Sequence, residues 1–168
     1  AVAEVAKQLR EKYPAITFDF HSGNAEDIME RLDKGLLDFG LIIQPADISK
    51  YGSVILPNKD TWGIIMNRES ELASKKAIKR EDLRGKPLII SKQISRRESA
   101  RGGLLKWLGP DIGRYNIVAR YNLLYNASVM AEKGIGYVVG LDKIVDTSLN
   151  SALCFRPLIP KLESEMGI

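Results

Sequence analysis

The chain is poor in the residues that most often do chemistry. It has one cysteine, Cys154, and one histidine, His21, in 168 residues. A lone cysteine forms no internal disulfide and no cysteine-based metal site. Cys154 follows an apolar run, where a buried structural thiol is expected. A serine-histidine-acid triad would have to use His21, which stands beside Ser22 at the end of an expected strand and reads as a polar loop residue rather than a base. Most zinc enzymes need more histidine or cysteine than this. There is no Gly-rich phosphate loop and no nucleophile elbow. Gly134-Ile135-Gly136 precedes a strand instead of following one, so it is not a dinucleotide fingerprint. No apolar run approaches the length of a membrane span. Zinc-finger spacing, aromatic-rich RNA-binding strands, low-complexity tracts and short repeats are also missing. No catalytic residue, metal ligand or cofactor is therefore assigned, and the chain is not expected to be an enzyme.

Hydrophobic residues make up 45% of the chain and charged residues 27%, enough for a sizeable core and unlike a disordered segment. The net charge is +4. Its densest basic clusters are Lys75, Lys76, Lys79, Arg80 and Arg96, Arg97, Arg101, interspersed with acids and small residues. They read as solvated helix faces rather than a DNA groove. The chain opens in helical periodicity, with Val2, Val5, Ala6, Leu9 and Tyr13 on one face, and stops without a closing element. It is expected to be a piece of a longer protein.

The first helix ends before Pro14. Ile16, Phe18 and Phe20 alternate with polar residues as a half-buried strand. Asn24 is placed to cap a helix carrying Ile28, Met29 and Leu32, with Asp27 at the capping-box position. Leu36 to Ile43 reads as a strand covered on both faces, stopped by Gln44-Pro45. Strands follow near Ser53–Leu56 and Thr61–Asn67, then a short polar helix around Glu69–Lys76. The pattern repeats with a strand at Pro87–Ser91, a capping box at Ser95 and Glu98, and a helix with Leu104, Leu105 and Leu108. Next come a strand at Tyr115–Tyr121, a helix through Val129 and Met130, and a strand at Ile135–Leu141. A helical turn near Asp142–Val145 and a strand at Leu153–Leu158 end the series.

The alternation predicts an α/β fold of two Rossmann-like lobes joined by two crossover strands. The expected lobes are 1–62 with 157–168, and 63–156. The crossings fall near Thr61–Ile65 and Phe155–Leu158, and two crossing strands make a hinge and a cleft. Ligands on such sheets gather beyond the carboxyl ends of strands, near helix N-termini. Three turns qualify: Ser22-Gly23-Asn24, Ser91 to Ser95, and Asn122 to Asn126. Gln44 and Pro45 end a strand on the same expected side. Ser and Asn also cap helices with no ligand in view, so the polar cleft is the stronger signal than any one turn.

The stretch from Ala1 to Ile43 resembles the first lobe of LysR-type transcription regulators, with Tyr13-Pro14, Gly23, Gly35 and Asp38 in the family's order. Asp82, Leu83, Gly85 and Pro87 are similar to its Asp-Leu-x-Gly-x-Pro segment, and Gly134 and Gly136 to its late glycine-strand signature. The resemblance covers essentially the whole chain. It implies the type-2 periplasmic-binding-protein fold, with a small-molecule effector between the lobes. It places effector contacts on Ser22, Gly23, Gln44, Pro45, Ser91, Ser95 and Asn122, and dimer contacts around Val2, Val5 and Leu9. The expected effector is a carboxylate or other small anion; an aromatic ring against Ile94 and Leu123 is the other reading. A homodimer or homotetramer is expected, located in the cytoplasm without membrane association. DNA would be met only through an N-terminal winged helix-turn-helix that this chain does not contain. The alternatives are a solute-binding transport protein of the same fold and, less well supported, a small enzyme on that fold.

Overall fold

The computed structural model describes residues 2–94, 103–110 and 112–168. Its larger part is built on a mixed sheet. Strand β2 (Asp60–Asn67) runs through the centre, with β6 (Tyr137–Leu141) antiparallel on one side and β7 (Leu153–Ile159) antiparallel on the other. Outward from β6 come β4 (Pro87–Ser91) and β5 (Asn116–Tyr121), both parallel to it; outward from β7 lies β3 (Ile78–Lys79).

Sequence explains the layers. Adjacent apolar residues in these strands point to opposite faces, as a period of two requires. Ile64, Leu88, Ile90 and Val139 pack on one face with Trp107 and Leu108 of α3 (Leu104–Leu108) and with Leu72 and Leu83 from two 3-10 turns. Ile65, Ile89 and Val138 pack on the other face against Leu124, Ala127 and Ala131 of α4 (Leu124–Glu132). Both faces are covered, which is why the strands read as continuous apolar runs.

The smaller part holds α1 (Val2–Lys12), α2 (Ala25–Asp33) and a two-stranded antiparallel sheet of β1 (Ile42–Ile43) and β9 (Met166–Gly167). Ile55 adds a bridge to Gly167. The parts are joined where β8 (Glu163–Ser164) pairs with the first residues of β2, Asp60 against Ser164 and Thr61 against Glu163. The chain thus has the expected two lobes and two adjacent crossing segments. β7 keeps its partners to its end: Pro157 pairs with Gly63, and Leu158 and Ile159 with β3.

Other expectations are corrected. Residues 16–20 form no strand, because no neighbouring backbone among the described residues pairs with them and a strand exists through its ladder. The alternation survives only as half-buried Ile16 and Phe18 beside exposed Thr17 and Asp19. Leu36 and Phe39 are 63% and 79% exposed, so Leu36–Ile43 is not a strand covered on both faces. The helix expected near Glu69–Lys76 is a 3-10 turn at Glu71–Ser74, and Asp142–Val145 is a turn. The Ser95–Glu98 capping box lies outside the described residues.

Candidate functional site

The parallel strands β4, β5 and β6 end at one edge of the large sheet. Ser91 pairs with Tyr121 across β4 and β5, which sets Ser91 beside Asn122. Leu141 pairs with Trp62, so the end of β6 meets the start of β2 at the same edge. That edge is where the two crossing segments leave for the smaller lobe. Topology alone has placed the ends of three parallel strands at the junction between lobes.

Ser91 is buried, and its Oγ accepts the Gln93 N–H at 3.2 Å. This short turn holds the backbone as β4 gives way to residues 92–94. Asn122 is exposed, just before α4. Tyr121 donates its hydroxyl to the Val139 carbonyl at 2.8 Å, and its burial pushes that hydroxyl's pKa up, so it stays protonated. This bond ties the end of β5 across to β6 and fixes where Asn122 emerges. The α4 N-terminus has no side-chain cap from Leu123. Ser95, the remaining expected residue of this lobe, lies outside the described residues.

On the smaller lobe, Gln44 follows β1. Its N–H donates to the Glu165 carbonyl at 2.9 Å, one residue from Ser164, which faces Asp60. Gln44 therefore sits next to the crossing. Its Oε1 accepts the Ala46 N–H at 3.0 Å, while its Nε2 is buried without a hydrogen-bond partner among the described residues. A buried donor left unpaired is costly unless something supplies an acceptor. Pro45, joined to Gln44 by a cis peptide, is half-buried beside it.

Ser22 and Gly23 lie on the turn that opens α2, outside the frame just described. Asn24 caps the helix as the sequence suggests, its Oδ1 accepting the Asp27 N–H at 2.9 Å. Asp27 does not complete a capping box. Its carboxylate meets His21 Nε2 at 2.6 Å and accepts from Arg31 Nε at 3.1 Å. The His21 hydrogen bond first, and Arg31 second, holds the Asp27 carboxyl below the usual carboxylate range. This carboxylate also fills the space under Gly23: a Cβ there would lie 2.0 Å from Asp27 Oδ2. The first anion a ligand would meet at this helix end is the protein's own.

Several residues at the junction were not assigned to the site from sequence. Asp142 Oδ1 accepts the Thr61 N–H at 2.8 Å, and its own N–H donates to the Thr61 carbonyl at 2.9 Å. Trp62 Nε1 donates to Ser164 Oγ at 2.8 Å. Burial first, and the nearby Asp142 carboxylate second, push the Asp60 carboxyl above its usual range. The only signal for Asp142 in the sequence is an acid directly after a buried strand. Among the described residues no group of histidine, cysteine or acidic side chains is placed to hold a metal ion, and no helix is long and apolar enough to cross a membrane.

Comparisons agree with this architecture. The family model described as the LysR substrate binding domain matches residues 1–168. A curated relative, an uncharacterized HTH-type transcriptional regulator of Bacillus subtilis named YvbU, is 26% identical over 87 residues, which is 52% of this chain and 29% of that protein. Among solved structures, the effector binding domain of QuiR in complex with shikimate superposes with a TM-score of 0.73 at 15% identity, covering 99% of this chain and 79% of that one. HinK, a LysR family transcriptional regulator from Pseudomonas aeruginosa, gives 0.69 at 16% identity over 98% of this chain and 57% of its own. A full-length OxyR variant from Pseudomonas aeruginosa gives 0.73 at 17% identity, over 96% and 59%. The chain thus spans under a third of the curated relative and a little over half of the longer solved chains. With the family model covering every residue, the chain belongs to the LysR substrate binding domain family.

Proposed function

We propose that this chain is the effector-binding part of a LysR-type transcription regulator, and that it binds a small molecule between its lobes without transforming it. The observation that carries the reading is the junction itself. Ser91 and Asn122 from one lobe and Gln44 from the other stand at the edge where two paired segments join the lobes. Such polar groups at the carboxyl ends of parallel strands are what a cleft ligand needs. Ser22, Gly23, Pro45 and Ser95 complete the proposed set.

The lobes are proposed to divide at the paired segments 60–61 and 163–164. This sets the first boundary just before the expected one at residue 62 and moves the second past Ile159. Binding a ligand to both lobes favours one closure angle, by no more than the ligand's difference in affinity for the two states. In the whole regulator, that change would reach DNA through a domain outside this chain. A small carboxylate or similarly hydrogen-bonding metabolite fits the polar lining, and shikimate, the ligand seen in QuiR, is a natural first compound.

Self-association is proposed through α1, which buries none of its residues although Val2 and Val5 carry an apolar stripe. As a transcription regulator it is placed in the cytoplasm.

The test is a thermal-shift panel of organic acids, amino acids and aromatic carboxylates, shikimate included. A ligand present at 100 times its Kd stabilises by about 2.7 kcal/mol. For a domain of this size that raises Tm by roughly 5–10 °C. The shift should fall to roughly half to two-thirds of the wild-type value in Ser91→Ala and in Asn122→Ala, each of which removes one hydrogen bond of about 1 kcal/mol. A compound that shifts wild type and both variants equally would place the ligand elsewhere.

A further inference from the structure

We propose that Asp142 is a positioning residue of the interlobe hinge: its carboxylate fastens the first residues of β2 to the end of β6 and so sets the angle at which the lobes meet. This rests on the reading of segments 60–61 and 163–164 as the hinge. A backbone that leaves a sheet to cross into another lobe normally loses its ladder partners. Here Thr61 keeps two on the β6 side. Its N–H donates to Asp142 Oδ1 at 2.8 Å, and its carbonyl accepts from the Asp142 N–H at 2.9 Å. A single residue thus grips both backbone groups of the hinge residue. Lys143, with φ of 62°, turns the chain sharply just after it. On the other side Thr61 pairs with Glu163, and the Trp62 indole donates to Ser164 Oγ at 2.8 Å. The two crossing segments are bound to each other, and Asp142 binds that pair to the larger lobe.

A charge-assisted bond to a backbone N–H is stronger than a neutral one. The Asp142 side chain is only 18% exposed, so water competes weakly for it. Asp60 opposes the clamp. Its carboxyl is pushed upward by burial and by Asp142, while Lys143 works the other way. Lys143 also lies 3.5 Å from Asp142. The remaining charges at the crossing are partly matched: Glu163 with Lys161 at 2.6 Å, and Glu165 with Lys59 at 2.9 Å. Ionised Asp60 is therefore the group whose charge acts against the clamp. Because its folded-state pKa is raised, its stabilising contribution is present at low pH and is lost as pH rises through that value. The clamp should be tighter below that raised value than above it.

The experiment is a distance measurement between spin labels at Lys34→Cys and Lys133→Cys in the full-length protein, without ligand. Both lysines are more than half exposed, and native Cys154 is buried. Wild type should give one narrow distance distribution. Asp142→Ala should broaden or shift it, and Asp142→Asn should restore it, because an amide Oδ1 still accepts the Thr61 N–H. Asp60→Asn should narrow the distribution near neutral pH and remove its change with pH. If Asp142→Ala fails to fold, the Asp60→Asn comparison still decides. Unchanged distributions in Asp142→Ala, no rescue by Asn, or no pH effect of Asp60 would overturn the proposal. Since no ligand is used, failure of the effector reading leaves this result standing.

Discussion

At Gly63 a single missing methyl is a requirement of the fold. This residue lies in β2 where the central strand passes Phe155 and Arg156 of β7. A Cβ here would stand 2.2 Å from Phe155 Cζ and 2.5 Å from the Arg156 carbonyl oxygen. The ring could turn, but the carbonyl belongs to a paired strand and has nowhere to go. Gly63→Ala should cost on the order of 2–3 kcal/mol. Urea denaturation would show this as a lower midpoint at unchanged slope. Gly52→Ala is the control, because a Cβ there meets nothing within 4 Å. It should change stability by less than about 0.5 kcal/mol. At Asp27 the question is charge. Its carboxyl is held below the usual range by His21 first and Arg31 next, so its stabilising contribution is present near neutral pH and lost as pH falls through the depressed value. Asp27→Asn should therefore be less stable than wild type near neutrality, and the gap should close in acid. A gap that stayed constant with pH would mean that the ionised carboxylate is not what matters.

Helix α1 is the element whose sequence and structure disagree most usefully. The apolar stripe Val2, Val5, Leu9 and Tyr13 was legible as one face of a helix, and the helix is there. Yet it buries no residue, and Val2, Val5 and Tyr13 are 43%, 54% and 51% exposed. Periodicity tells which side of a helix is apolar; it does not tell whether the cover comes from the same chain. If a second copy supplies the cover, Val5→Glu should weaken self-association tenfold or more in sedimentation, while the melting point of the dissociated domain barely moves. A large loss of stability at concentrations where the chain is monomeric would return Val5 to the lobe interior. The same distinction explains the strands. Pro87–Ser91 was legible to the residue because its apolar run is short, bounded and covered on both faces. Leu36 to Ile43 has the same kind of composition but only its last two residues pair, because strand formation depends on a neighbour that composition does not name. Sites follow this rule too. Ser91 and Asn122 could be placed at strand ends from turn chemistry, whereas Asp142 became visible only once the β2–β6 register set it against Thr61.

Across the whole molecule, the proposed function has the two lobes act together on one ligand. The larger lobe has its own core on both faces of its sheet. The smaller lobe buries little beyond Ile28 and Ile42 and is tied on through two short paired segments. A ligand held by the larger lobe alone would leave that smaller lobe with no part in recognition and no way to report binding. A ligand that touches both makes the closure angle depend on occupancy. The two cases separate by substitution on opposite sides of the junction. Gln44→Ala and Ser91→Ala should each weaken binding of the compound found in the thermal screen by roughly five- to tenfold, the cost of one lost hydrogen bond of about 1 kcal/mol. Titration calorimetry measures both. Small-angle scattering should show the wild type becoming more compact with ligand, and Gln44→Ala doing so less at equal occupancy. If Ser91→Ala alone weakens binding and compaction is unchanged in Gln44→Ala, the ligand sits on one lobe, and the signal must leave the domain by a route other than closure.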